Sequence, residues 1–317
     1  DSAGTKNRLN DLWRYDSSTG NWTWINGSNL VDQPGTYGTQ GVEDTANWPG
    51  ARRLAVAWKD STGKFWIYSG LGRDGGESSG QLNDLWRYDT VTENWTWVTG
   101  SSLIAQTGVY GTLGVADAAN TPGGRFSAMP WLDGSDRLWM FGGYGYDSSG
   151  AEGYLNDLWR YDPSTGHWTW MKGSNVASQL GVYGTQSVEN AANYPGGRDY
   201  SVSWTDSSGR YWLFGGTGYD SVNSNADKLN DLWRYDPSTS NWTWMKGSNV
   251  YRQAGVYGTQ EVANAANTPG ARQIAVSWTD DSGKFWLFGG TGYDSAGNSG
   301  YLNDLWRYDP STANWTW

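Results

Sequence analysis

The side chains in this sequence best suited to chemistry are carboxylates that return at a fixed interval. The octapeptide Leu-Asn-Asp-Leu-Trp-Arg-Tyr-Asp occurs five times, starting at Leu9, Leu82, Leu155, Leu229 and Leu302. Paired carboxylates can perform acid–base catalysis, but an active site needs unlike groups that converge once. Recurrence in every copy therefore predicts a structural role for these acids. The first acid of each copy is Asp11, Asp84, Asp157, Asp231 or Asp304.

Arginines form a second recurring set, placed where each repeated unit begins. A ring of such cations could hold an anionic ligand. Burial against carbonyl groups and aspartates is the interpretation we prefer, because a buried guanidinium needs several acceptors. We predict structural roles for Arg52, Arg125, Arg198 and Arg272, together with Asp84, Asp157, Asp231 and Asp304.

An oxygen-rich Asp-Ser-type loop also returns in the units and raises the question of a metal. Its aspartates are Asp74, Asp147, Asp220 and Asp294, with Asp1 in a fifth copy. Calcium prefers oxygen ligands, but the loop lacks the alternating aspartates and final glutamate of an EF-hand. We expect plain turns and no cofactor, with bound Ca²⁺ as the alternative.

Four tyrosines in the long connections between units are the candidate ligand-binding residues. Aromatic rings stack on sugar faces, and neighbouring Thr, Gln and Asn can bond hydroxyl groups. A packed anchor for the connection is the alternative interpretation. The residues are Tyr37, Tyr110, Tyr183 and Tyr257.

The elements that position these residues follow from the repeat, whose spacing is 73, 73, 74 and 73 residues. The third unit shows the pattern most clearly. It predicts strands over 198–204, 211–214, 231–235 and 241–244, separated by turns such as Asp-Pro-Ser-Thr. Four such strands cannot bury both faces alone, so we expect units to stack with tryptophans between them.

A glycine pair, then a tyrosine, six residues and a tryptophan, resembles the kelch repeat. Gly215-Gly216, Tyr235 and Trp242 show the pattern, and Pro195 followed by Arg198 matches the usual start of strand one. The resemblance implies an all-β, kelch-type β-propeller of four-stranded antiparallel blades. It implies one domain over 1–317, with complete blades at 52–97, 125–170, 198–244 and 272–317 and a half-blade hairpin at 1–24.

The 27-residue connections between units depart from the family pattern. They are 25–51, 98–124, 171–197 and 245–271. Because they repeat without decay, we expect them to be ordered and packed. Neighbouring strands of a unit run in opposite directions, so the long connections lie on the same face of the unit as the loop between strands two and three. This long-loop face is therefore the expected binding face.

Composition excludes several classes of function. The net charge of −10 disfavours nucleic acid and anionic lipid as partners, and no apolar run approaches a membrane span. Zero cysteines and a single histidine exclude thiolate sites and the copper chemistry of galactose oxidase, which also carries kelch-like repeats. Few charges with abundant Gly, Ser, Thr and Trp favour an extracellular bacterial β protein.

Together these features predict a secreted, non-catalytic binding or adhesion module whose partner is a protein or glycan surface, with multivalent weak sites. The alternative is a structural subunit of an extracellular assembly. In that interpretation a neighbouring chain completes the half-blade 1–24, because an unpaired strand edge beside apolar faces recruits a partner. An enzyme is the least favoured interpretation.

Overall fold

The computed structural model describes residues 4–317, and every regular element in that range is a β-strand. Asp1 lies outside the described residues, as do the first three positions of the expected half-blade. The described part contains no helix long and apolar enough to cross a membrane. All strand pairs are antiparallel and join into several small sheets.

The strands follow the repeat, so we name the segments 52–97, 125–170, 198–244 and 272–317 unit 1 to unit 4. The N-terminal hairpin contains β1 (Leu12–Asp16) and β2 (Asn21–Asn26). Unit 1 and its preceding connection contain β3 (Glu43–Asp44), β4 (Arg52–Arg53), β5 (Val56–Lys59), β6 (Phe65–Arg73), β7 (Ser79–Asp89) and β8 (Asn94–Thr99). Unit 2 and its connection contain β9 (Ala116–Asp117), β10 (Arg125–Phe126), β11 (Met129–Leu132), β12 (Leu138–Phe141), β13 (Tyr144–Tyr146), β14 (Glu152–Tyr154), β15 (Leu158–Asp162) and β16 (His167–Lys172).

The last two units have the same organisation. Unit 3 contains β17 (Arg198–Asp199), β18 (Val202–Thr205), β19 (Tyr211–Phe214), β20 (Thr217–Gly218), β21 (Asp227–Lys228), β22 (Leu232–Asp236) and β23 (Asn241–Lys246). Unit 4 contains β24 (Arg272–Gln273), β25 (Val276–Thr279), β26 (Phe285–Phe288), β27 (Thr291–Tyr293), β28 (Ser299–Tyr301), β29 (Leu305–Asp309) and β30 (Asn314–Thr316). The main sheet of unit 3 has the order β18-β19-β22-β23, a four-stranded meander.

The first predicted strand of each unit is divided in two. In unit 3 the chain bends at Tyr200, whose φ is 53°, between β17 and β18. This left-handed conformation ends the extended backbone and is unusual for a residue with a side chain. The short first piece, β17, pairs with β20, and β20 also pairs with β21. These three strands form a second small sheet.

The glycine pair makes the matching bend after strand two. Gly215 and Gly216 have φ values of 64° and 93°, which L side chains rarely adopt. A Cβ at Gly215 would also lie 2.8 Å from the carbonyl oxygen of Arg272 in the next unit. Both bends turn the backbone toward the small sheet, on the side of the molecule where the long connections lie.

The long connections are ordered and packed on the unit that follows each of them. In the connection 25–51, Thr36 and Trp48 form an isolated bridge, and β3 adds a strand beside β8. The amide of Asn47 donates to the carbonyl oxygens of Val42 and Trp95. The first bond recurs in all three later connections and the second recurs at Asn120 and Asn267, so each connection is built as part of its unit.

The hydrophobic core lies between consecutive units. One buried cluster joins Trp66 and Tyr68 of unit 1 to Tyr161 and Trp168 of unit 2. Equivalent clusters join units 2 and 3 and units 3 and 4. Tryptophans from both partners fill each interface, as the repeat predicts. Each unit therefore depends on its neighbours to cover its faces, as in other repeat architectures.

Candidate functional site

The recurring arginines and aspartates form one buried network in every unit. In unit 3 the Nη1 and Nη2 atoms of Arg198 donate to the two carboxylate oxygens of Asp231, each at 2.7 Å. The other Arg198 donors reach the carbonyl oxygens of Gly196 and Gly215. Three further pairs have the same geometry: Arg52 with Asp84, Arg125 with Asp157 and Arg272 with Asp304.

Two neutral donors complete the coordination of each aspartate. The Tyr183 hydroxyl donates to Asp231 Oδ2 at 2.6 Å, and the Trp233 indole N–H donates to the same oxygen at 2.7 Å. Burial and the negative charge of Asp231 raise the pKa of Tyr183 well above its usual value. The phenol therefore stays protonated and remains a donor. With each guanidinium satisfied internally, the arginine set offers no free cation to an anionic ligand.

The four tyrosines predicted as ligand platforms lie inside this network. Tyr37, Tyr110 and Tyr183 are buried, and Tyr257 is half-buried. The Tyr183 ring packs between Trp233 and Trp244, with ring centroids 4.8 and 5.2 Å away. This placement is that of a packed anchor, the alternative named for these tyrosines, because two tryptophans flank the ring and its hydroxyl donates to Asp231. The tyrosine anchors its long connection to the sheet.

The loop aspartates considered for calcium accept hydrogen bonds from backbone amides. Asp147 Oδ1 accepts from the amides of Ser149 and Ala151, and Oδ2 accepts from the amide of Ala177 in the next long connection. Burial opposes the charge, but these donors, led by Ala177, hold the pKa of Asp147 below its usual value. Asp74 and Asp220 bind amides of their long connections in the same way, and Asp294 caps its own turn.

These carboxylates therefore serve as caps that tie two loops together. In residues 4–317 no three His, Cys, Asp or Glu side chains are grouped as metal ligands would be. The oxygens that calcium would need already receive N–H donors in the structure.

The N-terminal hairpin carries an aromatic face that the other residues of 4–317 leave open. Its strands pair as predicted for strands three and four, with Tyr15 opposite Trp22. Trp22 is 65% exposed, whereas the equivalent Trp168 and Trp242 are buried. Trp13, Tyr15 and Trp24 are exposed as well. We call this the hairpin face.

Unit 4 exposes the complementary face at the other end of the array. Trp278 and Phe288 are exposed and Trp286 is half-buried, whereas the equivalent Trp204, Phe214 and Trp212 are buried. An open cavity of about 1020 Å³ lies at this end, lined by Tyr257, Trp286, Tyr301 and Leu305 among others. We call the surface of Trp278, Trp286 and Phe288 the unit-4 face.

One buried acid does not belong to any recurring set. Asp199 lies in β17, is only 4% exposed and has an Oδ1 atom without a hydrogen-bond partner. Burial raises its pKa to about 8. The equivalent positions in the other units hold Arg53, Phe126 and Gln273. Sequence reasoning missed this residue, although a comparison of the units position by position could have singled it out.

Comparison with known proteins adds no relative, because no protein-family model and no curated protein matches this chain.

Proposed function

We propose that this chain is a non-catalytic, extracellular assembly scaffold, built as an open array of kelch-type propeller blades whose two end faces bind each other between copies. The four-stranded meander of each unit, the left-handed glycine pair and the Tyr–Trp spacing support the kelch assignment. The carbohydrate-binding alternative has less support, because the tyrosines that would stack on a sugar are buried.

The observation that carries the proposal is the contact that every pair of consecutive units repeats. Strand two of one unit packs against a strand-three tyrosine and a strand-four tryptophan of the next. Between units 2 and 3, the ring centroids of Trp139 and Tyr235 are 5.9 Å apart and those of Phe141 and Trp242 are 5.2 Å apart. The other two interfaces have the same pairs: Trp66–Tyr161 and Tyr68–Trp168, then Trp212–Tyr308 and Phe214–Trp315.

The two end faces carry the two halves of this contact. The unit-4 face offers Trp286 and Phe288, at the positions of Trp212 and Phe214. The hairpin face offers Tyr15 and Trp22, at the positions of the tyrosine and tryptophan they would receive. A hairpin from a second copy therefore supplies the residues that cover unit 4 in the manner of an internal interface.

This geometry makes the association head to tail. The two faces differ, so each copy uses its hairpin face on one neighbour and its unit-4 face on another. Such heterologous contacts form rings when the rotation closes and open filaments when it does not. Large exposed apolar surfaces of this kind mark interaction sites in soluble proteins.

Replacing Trp22 with serine should weaken self-association by roughly 30-fold, the effect of losing about 2 kcal/mol at an aromatic hot spot. Light scattering across a concentration series measures this. The intact chain should exceed the monomer mass as concentration rises, and the variant should stay monomeric over the same range. Val91→Ser is the matched control, because Val91 is also exposed but lies in a turn away from both faces. An intact chain that stays monomeric throughout would remove the support for assembly.

A further inference from the structure

We propose that Asp199, together with Tyr144, Tyr154 and Tyr219, binds an organic ammonium ion on the side of the molecule that carries the long connections. These four residues are called the Asp199 cluster. The inference is separate from the assembly proposed above, because it concerns neither end face. It rests on a single non-repeated acid that is buried, has an unpartnered oxygen and belongs to the same small region as three neighbouring tyrosine rings.

The tyrosines form a continuous group of rings beside the acid. The Tyr144 and Tyr154 ring centroids are 5.1 Å apart and those of Tyr154 and Tyr219 are 5.9 Å apart, both edge to face. Each of the three rings is half-buried, so part of each remains open to solvent. Asp199 pairs with Thr217, two residues before Tyr219, and Gly197, two residues before Asp199, lies against Tyr154, so the acid is brought to this group of rings. Its negative charge acts on both Tyr144 and Tyr154.

The cluster has no cation of its own to neutralise Asp199. The guanidinium of the neighbouring Arg198 is committed to Asp231. Lys228, two strands away in the same small sheet, lies over the Tyr293 ring and beside Asp227. The acid therefore has an unpartnered oxygen and no charged partner.

The remaining titratable groups near Asp199 add negative potential or stay neutral. Glu152, in β14, adds to burial in raising the pKa of Tyr144 through its negative charge, and it accepts a hydrogen bond from the Gln81 side-chain amide. It adds a second carboxylate near the cluster. Tyr200 contributes to the raised pKa of Tyr154, as the cluster tyrosines Tyr144 and Tyr219 do. Burial, and then the charge of Asp199, raise the pKa of Tyr154 to about 12, so this phenol stays neutral at moderate pH.

Aromatic faces and a carboxylate together select a weakly hydrated cation. An ammonium group is attracted by the ring quadrupoles, and the attraction strengthens when water is displaced. A buried carboxylate without a partner is costly, and a bound cation offsets that cost. Metal ions fit less well, because a single carboxylate among phenol rings cannot supply the several oxygen ligands of calcium. Binding to the protonated acid releases its proton to solvent as the carboxylate forms.

The test is binding of choline to the intact chain at constant ionic strength, measured by calorimetry at pH 7 and pH 9. The quaternary ammonium does not titrate, so any pH dependence belongs to the protein. Because the pKa of Asp199 is about 8, the ionised fraction and the affinity should rise about tenfold over this range. The uncharged analogue 3,3-dimethylbutan-1-ol should not bind measurably at either pH.

Two variants use residues that other units already carry at the same positions. Asp199→Gln installs the residue of unit 4 (Gln273), and it should abolish binding and its pH dependence. Tyr154→Gln installs the residue of unit 1 (Gln81), and it should weaken binding at least about threefold while keeping the pH dependence. Far- and near-ultraviolet circular dichroism establishes that each variant is folded. No choline binding by the folded intact chain at pH 9, or binding that a folded Asp199→Gln variant retains, would overturn the proposal.

Discussion

Replacing Asp231 with alanine should destabilise the protein by about 3–5 kcal/mol, the effect of breaking a buried ion pair and leaving one charge unpaired. The variant removes both carboxylate acceptors of the Arg198 guanidinium, which has no exposed surface, and leaves only two carbonyl acceptors. It also removes the acceptor of Tyr183 and Trp233, so the long connection that precedes unit 3 loses its anchor. Denaturant unfolding followed by tryptophan fluorescence and by circular dichroism measures the loss.

The repeat provides a matched control for this prediction. Asp11 occupies the same position in the N-terminal hairpin and accepts the indole N–H of Trp13. Within residues 4–317 it is hydrogen-bonded to no arginine, so Asp11→Ala should cost less than about 1 kcal/mol. If the two alanine variants lost equal stability, the buried network would not be what holds the long connections in place.

Asp199 should make the protein lose stability as the pH rises, by about 5 kcal/mol between pH 4 and pH 9 relative to an Asp199→Asn variant. Burial raises its pKa from 3.8 to about 8, so the folded state holds the proton more tightly than the unfolded chain does. The effect is absent below about pH 4, where both states are protonated. It grows up to about pH 8 and is constant above it.

Unfolding free energies of the two proteins across this pH range give the measurement. Asp281→Asn, at an exposed turn of unit 4, is the control and should leave the pH profile of the parent protein unchanged. Identical pH profiles for the parent chain and Asp199→Asn would show that the carboxyl does not hold its proton on folding. That result would also remove the reason for choline affinity to rise between pH 7 and pH 9.

Much of the fold follows from the sequence because the repeat supplies independent copies of the same pattern. The strands over 211–214, 231–235 and 241–244 were predicted within one or two residues, since turn chemistry and apolar runs mark their ends. The bend at Tyr200 was not predicted. A residue with a side chain at positive φ has no signature in composition.

The site was harder to predict than the fold. Residue type alone gives Tyr183 the same chance of stacking on a ligand as of anchoring a loop. Tyr183 anchors the loop because its side of the connection packs on Trp233. That is a tertiary contact, which residue type does not reveal. Asp199 carries no motif, and two of the three rings in its cluster, Tyr144 and Tyr154, come from unit 2, distant along the chain. The exposed hairpin face could be predicted, because counting strands left a hairpin without inner partners.

The most direct test of head-to-tail assembly is chemical cross-linking between two single-cysteine variants. The chain has no cysteine, so Tyr15→Cys and Phe288→Cys each provide one thiol. The two variants, carrying different affinity tags, are mixed and treated with a short bismaleimide. Contact between the hairpin face and the unit-4 face predicts a mixed dimer carrying both tags. Thr19→Cys, in the exposed turn of the hairpin, should give little mixed product when it replaces Tyr15→Cys. Mixed dimer at the same low level for Tyr15→Cys and Thr19→Cys would contradict the account.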